Sequence, residues 1–374
     1  MRRDVVFLLP PSAARVESLN DVITGRTVAE RYLFYGMEYF KKRGMSVGHN
    51  IRPPTATANR IGRVYKLIVN TLGGYAGDLA WLAGAVDEIR SAKALLVYSD
   101  RLALPLCYLR MLHMLPRCPT VYISMGLPEK LRAFKRMGML RSVMQEFKTF
   151  ASIICLSKCE ADVLESEFSL QNNVFFLPAG VDTEYFAPMQ KQQDIDVLSI
   201  GADPFRDFVT LLGAAKRLPS RKFRIITRAA TAEGFGAVPR NVEVLTDIPM
   251  SAIREHMASS RCVALPVRDN TYSGATTVLL QAMSMAKPVI ANNVAANKDG
   301  YGFADGKNCV YVSVADVESL SKAIERLLAN DESSREIGAA AREHVVAALS
   351  LELFHEKLFR QVQSVTGSAA NANS

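Results

Sequence analysis

The sequence predicts an α/β protein with two domains, each built on a doubly wound parallel sheet. Short apolar runs of strand length alternate with segments whose apolar residues recur at helical spacing, which is typical of βαβ units. The stretch 261–293 shows this pattern in full, with strand-like runs at 262–266 and 288–291 on either side of a helical segment. The chain has 374 residues, which is enough for two domains that each bury a core.

The other elements follow from the same reasoning. Segment 20–43 has apolar and aromatic residues near helical spacing and predicts one helix that stops at Gly44. Ser157, with Glu160 three residues later, predicts a capping box at the start of another helix. Apolar runs bounded by turn-forming or polar residues predict further strands at 5–9, 94–98, 120–124, 153–156, 174–178, 197–201, 224–227 and 241–245.

Composition and charge exclude several classes of protein. The six cysteines form no C-x-x-C pair, so neither a zinc site nor a disulfide framework is indicated. Residues 1–188 hold 24 basic and 17 acidic side chains, a net charge of +7, whereas residues 189–374 hold 21 and 20, a net charge of +1. The basic N-terminal half predicts an anionic partner. Because no arginine-rich tract or RNP-like motif is present, the sequence argues against nucleic acid.

Residues 130–148 predict a basic amphipathic helix. Apolar residues mark one face, and Lys135, Arg136 and Arg141 lie among the basic residues around it. Such a helix is able to lie in an anionic membrane surface, and it is equally able to pack on its own domain with a solvated basic side. No signal peptide or segment long enough to span a bilayer is evident, so we expect a cytoplasmic protein, with attachment to the inner face of the membrane left open.

Asp100 follows the predicted strand 94–98, at the edge where α/β proteins place functional groups. It is a catalytic candidate that could act on an acceptor hydroxyl, or it caps the helix that starts near Leu102. The five histidines are isolated, and no Asp, Glu, His or Cys residues have metal-ligand spacing. The sequence therefore predicts neither a metal nor another cofactor.

The loop at 273–277 has small side chains only, so a ligand can approach its backbone closely. The free N–H groups and the positive end of the following helix favour a phosphate. The alternative is an ordinary helix start capped by Ser273 or Thr276.

This stretch resembles the donor-binding segment of GT-B glycosyltransferases, specifically the retaining, sugar-nucleotide-dependent family 4 enzymes. Their two acidic motif positions fall on Ser273 and Gln281, so both carboxylates are absent here. The residues that keep the family's frame are Gly274, Leu280, Ala282, Met283 and the run 287–291.

The resemblance implies two Rossmann-like domains that face each other across a cleft. Residues 178–188 resemble the signature that ends the N-terminal domain of the family. The expected parts are an acceptor-binding domain at 1–188, a nucleotide-sugar-binding domain at 189–350, a helix at 351–366 that crosses back to the first domain, and a disordered tail at 367–374.

The resemblance also implies transfer of a sugar from a nucleotide diphosphate donor, expected to be UDP-linked, to a hydroxyl of a glycan or lipid-linked acceptor. In the family, the loop after the first strand of the second domain supplies an arginine to the diphosphate, and Arg206 is the catalytic candidate for that role. In retaining members the departing phosphate oxygen is thought to take the acceptor proton. The residues implied for the donor site are Gly201, Arg206, Thr246, Asp247, Ile248, Arg268, Tyr272, Ser273, Gly274, Ala275, Thr276, Thr277 and Gln281.

Three questions about function stay open at this point. An inverting transferase would use Asp100 as its base, and the missing carboxylates together with the basic N-terminal half suggest a non-catalytic nucleotide-sugar-binding protein as an alternative. The neutral Ser273 and the nearby Arg268 also suggest an acidic donor such as UDP-glucuronate, because an arginine pairs well with a carboxylate. Arg268 is otherwise an exposed loop residue or a partner of Asp269.

Overall fold

The computed structural model describes residues 2–23, 31–71, 74–136, 138–272 and 274–371. The chain forms two compact units, Met1–Leu177 with His355–Ser374, and Pro178–Phe354. Each unit contains one parallel sheet, with six strands in the part of the chain that the structure describes. This confirms the predicted α/β class.

The first unit has the strand order β2-β1-β3-β4-β5-β6, and all neighbouring strands are parallel. Its strands are β1 (Arg3–Leu8), β2 (Val47–His49), β3 (Ala92–Tyr98), β4 (Thr120–Ser124), β5 (Ser152–Cys155) and β6 (Val174–Phe176). Its helices are α1 (Ala13–Ile23), α2 (Met37–Lys42), α3 (Ala56–Thr71), α4 (Leu79–Ala83), α5 (Val86–Ser91), α6 (Asp100–Met111), α7 (Leu127–Arg136), α8 (Leu140–Lys148) and α9 (Lys158–Ser166), with a 3₁₀ helix at Arg31–Phe34.

The second unit has the strand order β12-β11-β10-β7-β8-β9, again with parallel neighbours. Its strands are β7 (Ile195–Ile200), β8 (Phe223–Thr227), β9 (Val242–Thr246), β10 (Ser260–Leu265), β11 (Val289–Asn292) and β12 (Val310–Val312). Its helices are α10 (Phe208–Arg217), α11 (Ala229–Ala232), α12 (Met250–Ala258), α13 (Thr276–Ser284), α14 (Ala295–Lys298), α15 (Val317–Ala329) and α16 (Asp331–Ala348), with a 3₁₀ helix at Glu233–Phe235, and α17 (Leu351–Asn371) closes the chain.

Two predicted helices are each divided in the structure. In place of one helix over 20–43, the chain forms α1, the 3₁₀ helix and α2, and residues 24–30 lie outside the description. Tyr35 and Gly36 adopt φ values of 48° and 90°, which no α-helix accommodates. The segment 130–148 likewise forms α7 and α8, and Gly138 with φ 70° lies between them.

The apolar face of α7 and α8 is buried in the first unit. Leu131, Phe134, Val143 and Phe147 have no exposed surface and belong to its hydrophobic core. The arrangement therefore matches the second interpretation of residues 130–148, a surface helix pair packed on its own unit. Lys135 and Arg141 are exposed, and the side chain of Arg136 lies outside the description.

Residues 178–188 lie with the second unit, so the boundary between the units precedes the one expected at 188. The reason is a set of local hydrogen bonds: the N–H of Val181 donates to Leu349 O at 3.0 Å, and the N–H of Leu351 donates to Val181 O at 2.8 Å. The N–H of Ala179 also donates to Tyr301 Oη at 3.0 Å.

From His355 onward, the closing helix α17 belongs to the first unit. The Phe359 ring lies 6.0 Å from the Tyr39 ring and 5.1 Å from the Phe40 ring. The helix extends to Asn371, so residues 367–371 of the expected disordered tail are helical, and 372–374 lie outside the description. Among the described residues, no helix has the length and apolar character that crossing a bilayer requires.

Candidate functional site

The main donor-site candidates meet at one edge of the second unit's sheet. Strands β7 and β10 are parallel neighbours, so the loops that follow them leave the sheet side by side. We call residues 201–207 the β7 loop and residues 266–275 the β10 loop. Ser273 lies outside the described residues, so its roles as helix cap and donor contact stay predictions.

Hydrogen bonds join the backbones of these two loops. Arg206 and Val267 form an isolated antiparallel bridge, and the N–H of Arg268 donates to Phe205 O at 2.8 Å. The Arg268 side chain donates to the carbonyl of Pro204 and is exposed to solvent. Arg268 is therefore an exposed loop residue, as one interpretation of the sequence has it, whose guanidinium helps to hold the β7 loop in place.

Side chains add a second set of contacts between the loops. Tyr272 Oη donates a hydrogen bond to Asp203 Oδ2 at 2.6 Å, and the Tyr272 ring packs edge-on against Phe205 with centroids 5.7 Å apart. Asp207 caps α10, because its carboxylate accepts from the N–H of Thr210 at 3.1 Å. The two loops are thus fixed by their own contacts, which is the preorganisation that a binding site requires.

Arg206 is a buried cation with unused hydrogen-bonding capacity. Its side chain is 5% exposed and donates through Nη2 to the carbonyl of Ile200, whereas Nε and Nη1 have no acceptor among the described residues. Burial lowers the pKa of its guanidinium to about 10, although the nearby Asp203 opposes the change. Burying an arginine without partners for its N–H groups is costly, so this side chain is well suited to receive an anion.

Gly201 makes this position of Arg206 possible. Its φ of +144° is rarely adopted by residues with a side chain, and a Cβ there would lie 2.6 Å from Arg206 Nε. A larger residue at 201 would displace the guanidinium from the edge of β7. Gly201 and Arg206, two of the predicted donor-site residues, therefore lie against each other.

The helix that follows the β10 loop begins without a side-chain cap. Helix α13 starts at Thr276, and its N-cap residue, Ala275, has no side chain that accepts a hydrogen bond. Thr276, one of the two predicted caps, is buried in the first turn, with its Oγ1 3.5 Å from Asn297 Oδ1. Among the described residues, no side chain accepts from the first-turn N–H groups of α13, including that of Thr277, and the positive end of the helix favours an anion there.

The Asp203 carboxylate lies just before the start of α13. A Cβ on Gly274 would lie 3.0 Å from Asp203 Oδ1 and 3.3 Å from Oδ2, so the carboxylate lies directly against this glycine. Asp203 is not among the site residues that the sequence predicts. The signal was available, because an acidic residue lay two positions beyond the end of a predicted strand, at the ligand-binding edge.

The other predicted donor residues lie farther along the same edge or inside the unit. Asp247, between Thr246 and Ile248, has a φ of 52° and accepts a hydrogen bond from the N–H of Ala229 at 3.0 Å, which ties the loop after β9 to the loop after β8. Three strand spacings separate β9 from β10, or about 14 Å, which leaves room for an elongated ligand. Gln281 is buried in α13.

At the corresponding edge of the first unit, the charged side chains are paired with each other. Asp100 is the first residue of α6, and Ser99 rather than Asp100 is the N-cap, because Ser99 Oγ accepts from the N–H of Arg101 at 3.3 Å. The Asp100 carboxylate is buried, accepts hydrogen bonds from Tyr122 Oη and from the N–H of Met125, and forms an ion pair with Lys130 Nζ at 2.6 Å. These contacts occupy the carboxylate that the sequence offers as a base.

Glu160 is a second buried carboxylate at this edge. Its Oε1 accepts from Ser124 Oγ at 2.6 Å and from the N–H groups of Gly126 and Leu127 at 2.8 and 3.1 Å, so it caps the start of α7. Burial and the repulsion of Asp100 raise the pKa of Glu160 to about 7. Ser157 accepts from the N–H of Glu160 at 3.4 Å, which confirms half of the predicted capping box, while the glutamate side chain caps a different helix.

Within the described residues, no three His, Cys, Asp or Glu side chains are placed to hold a metal ion. The proposed phosphate contacts are Arg206 and backbone N–H groups. The site therefore combines a fixed cation with the start of a helix, and the Asp203 carboxylate lies beside them.

Comparison with known proteins agrees with this geometry. Residues 196–330 match the family model described as glycosyl transferases group 1. A curated relative, the MMP α-(1→4)-mannosyltransferase of Mycolicibacterium hassiacum, is 24% identical over 213 residues. That match spans 53% of this chain and about half, 50%, of the length of the relative.

Solved structures show similarity over nearly the whole chain. Sucrose-phosphate synthase from Thermosynechococcus elongatus superimposes with a TM-score of 0.70 at 14% identity, covering 98% of this chain and 100% of that protein. Anabaena HepE in complex with UDP-glucose gives 0.66 at 13% identity, with 97% and 100% covered. At these identities the likeness concerns the fold. The chain therefore has the GT-B fold, and its residues 196–330 are similar to a glycosyl transferases group 1 domain.

Proposed function

We propose that the chain is a glycosyltransferase that moves a sugar from a nucleotide diphosphate donor to a hydroxyl group. The observation that carries the proposal is the buried guanidinium of Arg206, which has two nitrogens without acceptors among the described residues and lies in a loop fixed beside the start of α13. A diphosphate supplies the acceptors that Arg206 lacks. The match of residues 196–330 to a glycosyltransferase family supports the assignment.

The chemistry follows from where charge develops. When the bond between the sugar and the diphosphate breaks, negative charge grows on the departing phosphate oxygen. Arg206 and the N–H groups of residues 275–277 are proposed to face that charge, and because both loops are already fixed, little reorganisation is needed at the moment of reaction. These groups perform the work that a metal ion does in other transferases, so we propose that no metal is required.

The nucleoside is proposed to lie along the edge from β8 to β9, with Thr246, Asp247 and Ile248 beside the base. A uridine nucleotide is the preferred candidate, since Anabaena HepE, which shares the fold, has been solved with UDP-glucose. The acceptor is proposed to be a hydroxyl of a glycan or of a lipid-linked glycan.

Asp203 bears on whether the transferred sugar is acidic or neutral. An acidic sugar such as glucuronate was suggested because Ser273 leaves the site without a carboxylate. Asp203 brings one to Gly274, where it would repel an acidic sugar and accept hydrogen bonds from the hydroxyls of a neutral one. We therefore propose a neutral hexose as the donor sugar.

Two alternatives lead to different experiments. An inverting transferase with Asp100 as base would need a carboxylate that is free to accept a proton, and the contacts of Asp100 with Tyr122 and Lys130 weigh against that role. A protein that binds nucleotide sugars without turning them over would have the same phosphate site, so turnover has to be measured separately from binding.

The phosphate site is tested by comparing two glycine variants of the second unit. Gly274→Val places a branched side chain against Asp203 and into the approach of the diphosphate, whereas Gly234→Val is the same change at a glycine whose Cβ meets nothing within 4 Å. We expect calorimetry to show loss of most UDP affinity for Gly274→Val and little change for Gly234→Val, with similar melting temperatures. Equal UDP affinity in the two variants would show that the diphosphate does not bind at Gly274.

Turnover is then measured with labelled UDP-hexoses in the presence of EDTA, with isolated membranes and free glycans as acceptors. A glycosyltransferase of the proposed kind transfers label under these conditions. UDP binding without transfer to any acceptor would favour the binding protein. Activity that EDTA abolishes and manganese restores would contradict the metal-free site.

A further inference from the structure

Helix α3 of the first unit exposes large apolar side chains on one face. Ile61, Val64, Leu67 and Ile68 are exposed to 56%, 60%, 70% and 54%. Their spacing of three or four residues places them along one side of the helix. Single exposed apolar residues are ordinary, but a contiguous set of this kind marks an interaction surface.

The opposite face of α3 is already used for packing inside the unit. Ala58 is buried, and Gly62 lies so close to α4 that a Cβ there would be 2.9 Å from the Cβ of Ala80. The Tyr65 ring lies 6.1 Å from the ring of Tyr108 in α6. The exposed apolar residues therefore form a second face, in addition to the one that holds the helix on its unit.

Arg60 and Arg63 lie within and beside this exposed face, and Lys66 lies farther round the helix. Helix α3 contains Arg60, Arg63 and Lys66 and has no acidic residue. All three are exposed, and none forms an ion pair with another described residue. The charge on this helix is thus available to an external partner, and that partner has to be negative.

We propose that α3 is a docking surface for an anionic lipid membrane. The helix would lie in the plane of the interface, with Leu67 and its apolar neighbours among the acyl chains and the basic residues at the level of the phosphates. A second copy of the chain fits less well, because a two-fold interface would bring the same basic residues against each other. Helices α7 and α8 have a comparable charge, but their apolar face is buried.

The experiment measures binding of the full chain to vesicles of phosphatidylcholine with and without phosphatidylglycerol. We expect flotation only with the anionic vesicles, and release as salt rises, because surface charges are screened over about 10 Å at 0.1 M. The variant Arg60→Gln/Arg63→Gln/Lys66→Gln should lower the partition coefficient about a hundredfold, since each basic residue near an anionic surface contributes about fivefold. Leu67→Gln/Ile68→Gln should lower it at least about tenfold by removing the apolar contacts.

A matched control removes three charges from another part of the same unit. Lys135, Arg141 and Lys148 are exposed on α7 and α8, and Lys135→Gln/Arg141→Gln/Lys148→Gln causes the same change in net charge. We expect this variant to bind vesicles nearly as well as the parent. An equal loss in the two triple variants would overturn α3 as the docking surface and indicate a general attraction of the basic unit.

Two further outcomes would also overturn the proposal. Absence of vesicle binding at low salt would do so directly. A concentration-dependent dimer that Leu67→Gln disrupts, without vesicle binding, would assign the face to a second copy of the chain. None of these measurements uses UDP, so their failure is distinguishable from failure of the proposed transferase activity.

Discussion

The carboxyl-terminal edges of the two sheets each contain a cation, but only one of the two cations is paired. In the first unit, Lys130 Nζ lies 2.6 Å from the Asp100 carboxylate and also donates to the carbonyls of Met125 and Gly126. In the second unit, Arg206 forms no ion pair with a described residue and has two nitrogens without acceptors. The two units have the same sheet architecture, yet only the edge of the second unit has a buried cation that can still pair with a ligand.

This difference separates structural charges from functional ones. A buried cation whose partners are all present contributes to the fold, and removing one partner leaves the other charge uncompensated. A buried cation without partners reduces stability unless something binds to it, so it indicates a ligand. Each of the following predictions changes one side of this comparison, from the largest expected effect to the smallest.

The largest effect is expected where the pair is complete. Lys130→Met leaves Asp100 buried without its counter-ion, and we expect the free energy of unfolding to fall by about 3–5 kcal/mol. Urea denaturation measures this loss. Because the pair lies in the first unit, any variant protein that remains folded should bind UDP with the affinity of the parent.

The double variant Asp100→Asn/Lys130→Met serves as the control for Lys130→Met. It removes both charges, so much of the lost stability should return, and the coupling between the two substitutions should be large. If Lys130→Met instead leaves stability unchanged and abolishes UDP binding, the two edges do not differ in the way described above.

Arg206→Ala should have the opposite pattern. We expect kcat to fall about 100- to 1000-fold, comparable to the loss of one donor that stabilises a developing oxyanion. The free energy of unfolding should change little, because the lost guanidinium has few partners in the unliganded protein. Steady-state kinetics together with urea denaturation test both expectations.

Arg268→Ala is the matched control for Arg206→Ala, since it removes an exposed guanidinium from the neighbouring loop. Its effect on kcat should be smaller. A large loss of stability in Arg206→Ala, with kcat per folded molecule unchanged, would make Arg206 a structural residue like Lys130.

The first unit's edge should also respond to pH through Glu160. Its carboxyl has an ordinary pKa of 4.5, which burial and Asp100 raise to about 7 in the folded protein. Between these values the folded state holds a proton that the unfolded state has released, so stability falls as pH rises and the loss is complete above about pH 7. The difference is about 3 kcal/mol between about pH 5 and about pH 8.

Glu160→Gln should remove this contribution, since an amide does not titrate in that range while its oxygen still accepts from Gly126 and Leu127. Urea denaturation at the two pH values, in the parent and in Glu160→Gln, isolates the effect. The same pH dependence in both proteins would assign the titration to another group.

Much of the fold followed from the sequence because parallel strands that are buried on both faces appear as apolar runs. Strands β2 and β12 were not predicted. Val47–His49 contains a glycine and a histidine and gives no apolar run, whereas the apolar run at 309–312 was not recognised as a strand. Gly201, Arg206 and Gly274 could be placed near one another because each lies just after a strand of the same sheet.

What the sequence did not show depends on tertiary contacts. Helical spacing shows that a helix has an apolar face, but it does not show whether that face is covered by the rest of the unit. The sequence therefore suggested residues 130–148 as a membrane-binding helix and did not single out α3. The role of Asp203 depends on how the β7 loop folds against Tyr272 and Gly274, and no local pattern specifies that approach.

The smallest effect is expected at Asp203, the one carboxylate beside the proposed diphosphate contacts. Asp203→Asn retains an oxygen that accepts from Tyr272, so the loops should stay joined, but it removes a negative charge from the sugar end of the site. We expect the parent to prefer UDP-glucose over UDP-glucuronate, and Asp203→Asn to narrow that preference by about 1–3 kcal/mol, or about 5- to 150-fold in the ratio of specificity constants. Competition assays with the two donors in parent and variant measure this ratio directly. A parent that prefers UDP-glucuronate would show that Asp203 does not face the sugar, and it would restore the acidic donor that Ser273 and Arg268 suggest.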